Sequence, residues 1–417
     1  MTSIHRRDFF ALAGAAAAVS AAAPVLAAQT AAALKPITGG ARPIGREERL
    51  ARIAKAQWLM RAQGLSALLI EPGSSLDYFT GVQWWRSERL TAALIPAEGE
   101  IAVFTPFFEE PSIRESLAVP AQVRTWNEHD DPLKLVGAWL SERKLGSGKV
   151  GMEETVRHFA VDGLARALPG ASIVSGAGVV RACRMIKSPA EIALMQAASD
   201  VTIAALRHVH PRIQAGMTPA DITAMIVAAT KALGGEADGA LVLLGEASAY
   251  PHGSGKPQAV REGEVVLIDC GCKVHGYQSD ISRSFVFGAP TQRQRQVWDH
   301  VRRGQQIAME AARVGVPTGH VDDAVRRHYE TLGYGPGYKL PGLSHRTGHG
   351  IGMDGHEPVN LVRGETTPLA PGMCFSNEPG IYIPGAFGIR LEDCFYMTEA
   401  GPRWFSTPPP SLDAPFA

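Results

Sequence analysis

Apolar residues recur at helical spacing between Arg46 and Gln63, at Leu50, Ile53, Ala54, Trp58 and Leu59, and Gly64 closes the pattern in the manner of a helix C-terminal glycine. The spacing predicts an amphipathic helix over 46–63 with that stripe facing inward. A short apolar run at 67–70 reads as a strand. Segments 90–95 and 101–104 flank Pro96-Ala97-Glu98-Gly99-Glu100 and read as a hairpin. Strand and helix patterns keep alternating to about Ser175, which predicts an α/β domain with a mixed sheet over residues 46–180. No Gly-x-Gly-x-x-Gly stands at a strand-to-helix turn and no Gly-Lys-Ser/Thr phosphate loop occurs, and Gly176-Ala177-Gly178 lacks the third glycine.

A second domain, 188–405, opens on Ser188-Pro189-Ala190-Glu191, where serine caps a helix, proline takes its first turn and glutamate completes a capping box. Thr218-Pro219-Ala220-Asp221 starts another helix, which Gly234-Gly235 ends. About a hundred residues later Ala215-Gly216-Met217-Thr218 is echoed by Val314-Gly315-Val316-Pro317, again ahead of an amphipathic helix, with Asp322 near its start. The echo hints at internal duplication.

Two predicted hairpins carry acids inside apolar strands. Val265 to Gly271 is a buried strand run holding Asp269, and the returning strand holds Asp280; a turn centred between Val274 and His275 sets these carboxylates directly across from each other. Nearer the C-terminus, 373–378 and 388–395 flank a turn containing Pro384, Gly385 and Gly388, and Glu378 and Glu392 are symmetric about Gly385. Like charges facing each other in a sheet repel. In a dry site such a pair must share a proton or hold a cation, and four converging acids favour the cation. Between the hairpins, residues 345–358 carry His345, His349 and His356 among glycines that forbid a stable helix and let the backbone approach a ligand. His-Glu-x-x-His is absent, because Arg346 stands where its glutamate would be. His252 is also followed by a glycine.

With 45% hydrophobic and 20% charged residues, the 417-residue chain has the make-up of a soluble globular protein, and 41 basic against 41 acidic side chains leave no charge excess for nucleic acid. Five cysteines without a Cys-x-x-Cys spacing indicate neither a disulfide framework nor a thiolate zinc site. Residues 1–28 run from a charged start with Arg6-Arg7-Asp8-Phe9-Phe10 through an alanine-rich stretch to Val25-Leu26-Ala27-Ala28. The segment resembles a bacterial twin-arginine export signal, which implies the twin-arginine machinery as a partner during transport, cleavage near Ala27 or Ala28, and a periplasmic mature protein.

These motifs resemble those of the creatinase, prolidase and aminopeptidase P family of metallopeptidases, from about Arg46 to Trp404. The resemblance implies an α/β N-terminal domain with a mixed sheet joined to an α+β pita-bread catalytic domain. It implies two divalent ions, Mn²⁺ first and Co²⁺, Zn²⁺ or Fe²⁺ as alternatives, held by Asp269, Asp280, His349, Glu378 and Glu392, with Asp280 and Glu392 bridging. It further implies substrate contacts from His252, His345, His356 and Arg390, with His252, His356, Glu378 and Arg390 in catalysis, and hydrolysis of the bond before proline in dipeptides or short peptides. The alternatives are a creatinase-like or other non-peptide C–N hydrolase or lyase, or a non-catalytic binding relative, and the intact ligand set argues against both. Many prolidases carry tyrosine where this chain has Val274, and Tyr277 fills a different slot of the motif. In the family the N-terminal region of one subunit commonly closes its partner's site, which implies a homodimer with Trp84 or Arg86 of the Trp84-Trp85-Arg86 run reaching the partner's cleft.

Overall fold

The computed structural model of the protein describes residues 33–416, so the export signal read in 1–28 lies outside the described residues. The chain forms two compact units, Pro43–Ile186 and Lys187 onward, the latter joined by the segment before Pro43.

In the first unit, helix Arg46–Gln63 stops at Gly64, whose φ of 69° turns its amide back to the carbonyls of Met60 and Arg61. Its buried face is not the expected stripe. Arg49, Arg52, Ile53, Ala56 and Met60 point inward, while Leu50 and Trp58 are exposed. The cause is helix Ser74–Thr80, which presents its C-terminal end to this face. Arg52 donates to the Tyr78 carbonyl at 3.0 Å and Arg49 meets the Asp77 carboxylate at 3.0 Å. Guanidiniums satisfied there displace the apolar side chains to the outside. The sheet runs in the order Gln122–Trp126, Ala102–Pro106, Ala92–Pro96, Leu65–Ile70, Lys149–Met152, Ser172–Ser175. Leu65–Ile70 pairs antiparallel with Ala92–Pro96 and parallel with Lys149–Met152, so the sheet is mixed. Leu69, Leu94, Phe104, Trp139, Val150 and Leu164 belong to one buried cluster on it.

In the second unit, full capping boxes start three helices: Ser188 with Glu191 for Pro189–Val209, Thr218 with Asp221 for Pro219–Ala232, and Thr291 with Gln294 for Gln292–Ala311. The sequence echo is structural. Gly216 N–H donates to Val260 O at 2.9 Å and Val260 N–H returns to Met217 O at 2.8 Å; Gly315 N–H donates to Leu369 O at 2.8 Å and Leu369 N–H returns to Val316 O at 2.9 Å. Each turn leads into a 14-residue helix, Pro219–Ala232 or Thr318–Thr331. Val260 and Leu369 stand at matching distances ahead of Asp269 and Glu378, so the two hairpins bring their acids to the site in the same way.

The first hairpin pairs Val265–Cys270 with Ile281–Val286, and Ser282, not Asp280, lies opposite Asp269. The expected register is displaced by two residues because the turn sits on His275 and Gly276, which take φ of 49° and 83°. Two positive-φ residues make the tight turn that matches strand twist. A shift of two keeps every side chain on its face, so Asp280 becomes the diagonal neighbour of Asp269. The second hairpin keeps the expected register, with Asn377 opposite Asp393 and Gly380 opposite Arg390 about Gly385, whose φ is 75°. Val265–Cys270 lies between Ala240–Leu244 and Ile281–Val286, and Cys374–Asn377 between Gly348–Gly350 and Asp393–Thr398. Among the described residues no helix is long and apolar enough to cross a membrane.

Candidate metal centre and active site

Four acids sit where strands of the two hairpins begin or end. Asp269 is the fifth residue of Val265–Cys270, Asp280 precedes Ile281–Val286, Glu378 follows Cys374–Asn377, and Glu392 precedes Asp393–Thr398. His349 is the middle residue of Gly348–Gly350. A side chain at Gly348 would run into the Ser376 carbonyl and one at Gly350 into that of Glu357, so only glycines let this strand lie close enough to deliver the imidazole. The Ser376 hydroxyl accepts the His349 amide at 3.0 Å, and the Thr347 carbonyl accepts that of Glu378 at 2.9 Å.

Three donor groups result, each with ligand atoms within 4.8 Å of one another: Asp269, Asp280 and Glu392; His349, Glu378 and Glu392; and Asp280, His349 and His356. His349 Nε2 lies 3.4 Å from Glu378 and 3.6 Å from Asp280. Its Nδ1 faces the Gly350 carbonyl at 3.1 Å. A carbonyl only accepts, so Nδ1 carries the proton and the Nε2 lone pair is left for a cation. The acids line a cavity of about 560 Å³ together with Pro251, His252, His345, Arg346, His349, His356 and Arg390.

Burial, reinforced by the Asp269 charge, holds the Asp280 carboxyl well above the carboxylate range, and burial with the Asp280 charge does the same to Glu392. Burial pushes Glu378 up to about 7 against the pull of Arg390. The same desolvation pushes His345 and His349 down to about 3, so both imidazoles are neutral at pH 7. Acids reluctant to ionise beside neutral imidazoles either retain protons or yield them to a metal ion, and the donor set fits divalent cations.

Arg390 is anchored on all sides. It donates to the Ser282 hydroxyl at 3.0 Å, the Pro251 carbonyl at 3.1 Å and the Tyr382 hydroxyl at 3.4 Å, and pairs with Asp269. Ser282 in turn donates to Glu392 at 2.6 Å. His345 gives its Nδ1 proton to the Arg346 carbonyl at 2.7 Å, so its Nε2 accepts from Tyr382 at 2.7 Å. Burial raises the Tyr382 hydroxyl to about 12, which keeps that proton in place.

Each candidate from the second half of the sequence lies in this cavity. His252 and His356 are exposed there, and the His356 ring stands 4.0 Å from that of His349. Trp84 and Arg86 belong to the other unit. Residues 81–91, which hold Trp84 and Trp85, form no strand. Their rings stack at 4.5 Å, Trp84 donates to Glu109 at 3.2 Å, and Trp85 is the exposed member. Arg86 is exposed and holds the Pro72 carbonyl at 3.0 Å. Val274 is buried beside Tyr277, whose hydroxyl donates to Glu191 at 2.8 Å, so Tyr277 does not stand in for the missing tyrosine. Sequence reasoning missed Tyr382, Ser282 and Arg346. The available signals were the position of Tyr382 in the Glu378 hairpin, the true partner of Asp269, and a guanidinium between two site histidines.

Residues 193–399 match the profile of metallopeptidase family M24, and residues 52–186 that of the creatinase/prolidase N-terminal domain. The probable dipeptidase PepE of Mycobacterium tuberculosis is 35% identical over 371 residues, covering 87% of this chain and 95% of that one. The chain belongs to metallopeptidase family M24. Within that family, the Xaa-Pro dipeptidase of Lactobacillus helveticus is 31% identical over 357 residues, 84% of this chain and 95% of its own. Dipeptidase PepE of Mycobacterium ulcerans superposes with a TM-score of 0.80 at 32% identity over 89% of this chain and 99% of that one. The prolidase of Thermococcus sibiricus does so with 0.79 at 27% identity, over 86% and 97%. The fold is the one expected, a mixed-sheet α/β domain and a pita-bread domain, and the M24 family implies divalent metal ions for the donor groups above.

Proposed function

We propose that the protein is a dinuclear-metal Xaa-Pro peptidase that hydrolyses the bond before proline in dipeptides or short peptides. The observation that carries the reading is the pair of donor groups joined through Glu392, one completed by Asp269 and Asp280, the other by His349 and Glu378. The name of the Lactobacillus helveticus relative supplies the proline. In this reading Asp269, Asp280, His349, Glu378 and Glu392 would hold two ions, Asp280 and Glu392 serving both, Asp269 one, and His349 with Glu378 the other. Four carboxylates and one neutral imidazole suit Mn²⁺ first, then Co²⁺, Zn²⁺ or Fe²⁺. Divalent ions so held supply Lewis acidity toward the scissile carbonyl and toward water.

The chain's own groups do the rest. Glu378 serves as the general base that takes up and returns a proton. His252 and His356 open onto the cavity and donate to the developing oxyanion, at about 2.7–4 kcal/mol for a well-placed donor. Arg390 fixes Asp269, and Tyr382 fixes His345. The test is an assay of protein stripped and reloaded with Mn²⁺ on an Xaa-Pro dipeptide, an Xaa-Pro-Xaa tripeptide and a dipeptide without proline. Proline-selective hydrolysis abolished by chelation is expected; equal rates without proline, or activity that survives chelation, refute the proposal.

Two further parts of the reading rest on sequence resemblance. Residues 1–28 export the chain through the twin-arginine machinery to the periplasm, and periplasmic delivery of a variant with Arg6 and Arg7 both replaced by lysine would overturn that. The working enzyme is a homodimer in which Trp84 or Arg86 reaches the partner's substrate cleft. A monomer by light scattering, with parental length preference in Trp84→Ala and Arg86→Ala, would overturn this.

A further inference from the structure

The His356 imidazole stands exposed in the cavity against the ring of His349, and among the described residues no hydrogen bond orients it. Its direction is therefore set by the main chain, and the next residue shows how that main chain is held. Glu357 lies opposite Gly350 in the sheet and turns a buried carboxylate back under the loop that leads to His356. Its Oε1 accepts the amides of Met353 at 2.9 Å and Asp354 at 3.2 Å, and its Oε2 accepts from Lys187 Nζ at 3.0 Å. The two side chains of this ion pair are only 3% and 4% exposed. A Cβ at Gly352 would meet Glu357 Oε1 at 2.7 Å and Lys187 Cε at 2.8 Å, so the loop closes over the pair because residue 352 is glycine.

The ammonium comes from the residue just ahead of the Ser188 capping box, so the start of helix Pro189–Val209 supplies the counter-charge of the loop. Glu191 of the same box accepts the Tyr277 hydroxyl at 2.8 Å. Beside Tyr277, Gln278 donates its amide to the Gly352 carbonyl and its side chain to the Met353 carbonyl, each at 2.8 Å. The loop is thus gripped by its amides through Glu357 and by its carbonyls through Gln278, two residues ahead of Asp280. The helix start does not need this arrangement, since Ser188 and Glu191 complete their box without Lys187. Nor is a buried ion pair a better source of stability than apolar side chains of the same size. What the pair supplies is a fixed acceptor for two successive amides, and fixing them fixes the backbone from which His356 projects.

We propose that Glu357, held by Lys187, is the positioning residue for His356, and that the buried pair governs turnover without governing metal or substrate binding. The inference rests on the peptidase reading above, in which His356 donates to the developing oxyanion. Glu357 touches neither substrate nor metal and acts only through the loop Gly352–Gly355, so its effect must vanish when the imidazole is absent.

The experiment uses two double variants that strand no charge. Lys187→Met with Glu357→Ala removes the ion pair and the acceptor of both amides, whereas Lys187→Met with Glu357→Gln removes the ion pair and keeps an oxygen for them. With Mn²⁺-loaded protein on Leu-Pro, the alanine pair should lose about 10- to 100-fold in kcat, the effect of a small misplacement of a catalytic group, with KM and metal content unchanged. The glutamine pair should recover most of that loss. When His356→Ala is added to each, both should turn over at the same residual rate. A loss in the alanine pair that is as large without His356 as with it would mean general loosening and overturn the proposal. Parental kcat in the alanine pair, equal losses in the two pairs, or a fall in metal content would overturn it as well. Hydrogen exchange over 351–356 reads the loop without turnover: it should be faster in the alanine pair than in the parent or the glutamine pair, and unchanged exchange refutes the grip on the loop. If the parent splits Leu-Leu as readily as Leu-Pro, the proline specificity has failed, and the same comparison on Leu-Leu still decides the role of Glu357.

Discussion

Asp322 is a carboxylate buried to zero exposure at the start of helix Thr318–Thr331, and the site depends on it without touching it. It accepts from Arg326 Nε at 2.7 Å, from the Thr347 amide at 3.1 Å and hydroxyl at 2.7 Å, and from the Arg363 amide at 3.0 Å. Arg326, also buried, carries the tie onward to the Leu343 carbonyl at 2.9 Å and to the His345 carbonyl. Thr347 then receives the Glu378 amide. Asp322→Ala strands the Arg326 charge in the interior, which costs about 3–5 kcal/mol. For a unit of this size each kcal/mol lowers Tm by about 2–4 °C, so the transition of the catalytic unit should fall by about 6–20 °C. Loosening a group that orients ligands should also weaken metal binding by about 10- to 100-fold. The assay is calorimetry of the metal-free protein together with a competitive metal titration. Combining Asp322→Ala with Arg326→Met removes the stranded charge and should cost less than the two single losses summed. A fall in Tm below about 2 °C in Asp322→Ala, or strict additivity in the double variant, would show that the pair is not the support described.

Asp280→Asn and Glu392→Gln should each remove at least one metal ion per subunit by elemental analysis and nearly all activity; two ions retained in either variant would misplace the bridges. His356→Ala should keep its metals and lose turnover, whereas His349→Ala should also weaken metal binding, because of these two rings His349 is the one whose lone pair is oriented by a backbone carbonyl; equal metal loss would refute the distinction. The metal-free protein should lose stability as pH rises from about 6.5 to 8. The folded carboxyls of Asp280, Glu378 and Glu392 titrate above their unfolded values, so the stability they contribute is complete at low pH and lost as pH rises through their folded values, about 7 for Glu378. His345 and His349, pushed down to about 3, act in the opposite sense but only below their usual 6.5, which leaves the carboxyls alone above it. The Tm gained on adding divalent metal should therefore widen over that interval, and a gain that narrows would contradict the burial of these acids.

What was legible in the sequence was what the chain encodes locally or by period. Ser188 with Glu191 and Thr218 with Asp221 announce their helices within four residues; the first box is formed as read, and the second start proves to be a box as well. The inward face of helix Arg46–Gln63 was not legible, because Arg49 and Arg52 are drawn in by carbonyls of a separate helix, which no periodicity displays. Tyr382, Ser282 and Asp322 escaped for the same reason, since each matters through a partner remote in sequence. The hairpins show why the convergence of the four acids could be read regardless. Side chains alternate with period two, so a register error of two residues changes which residue is opposite but not which face it occupies. Taking Asp280 instead of Ser282 as the partner of Asp269 was such an error, and Asp280 still projects on the side of Asp269. An error of one residue would have turned the acids to opposite faces and dissolved the site on paper. Convergence of the four carboxylates therefore depends on parity, which alternation along each strand specifies, and the exact turn residues adjust only how Asp269 and Asp280 are offset along it.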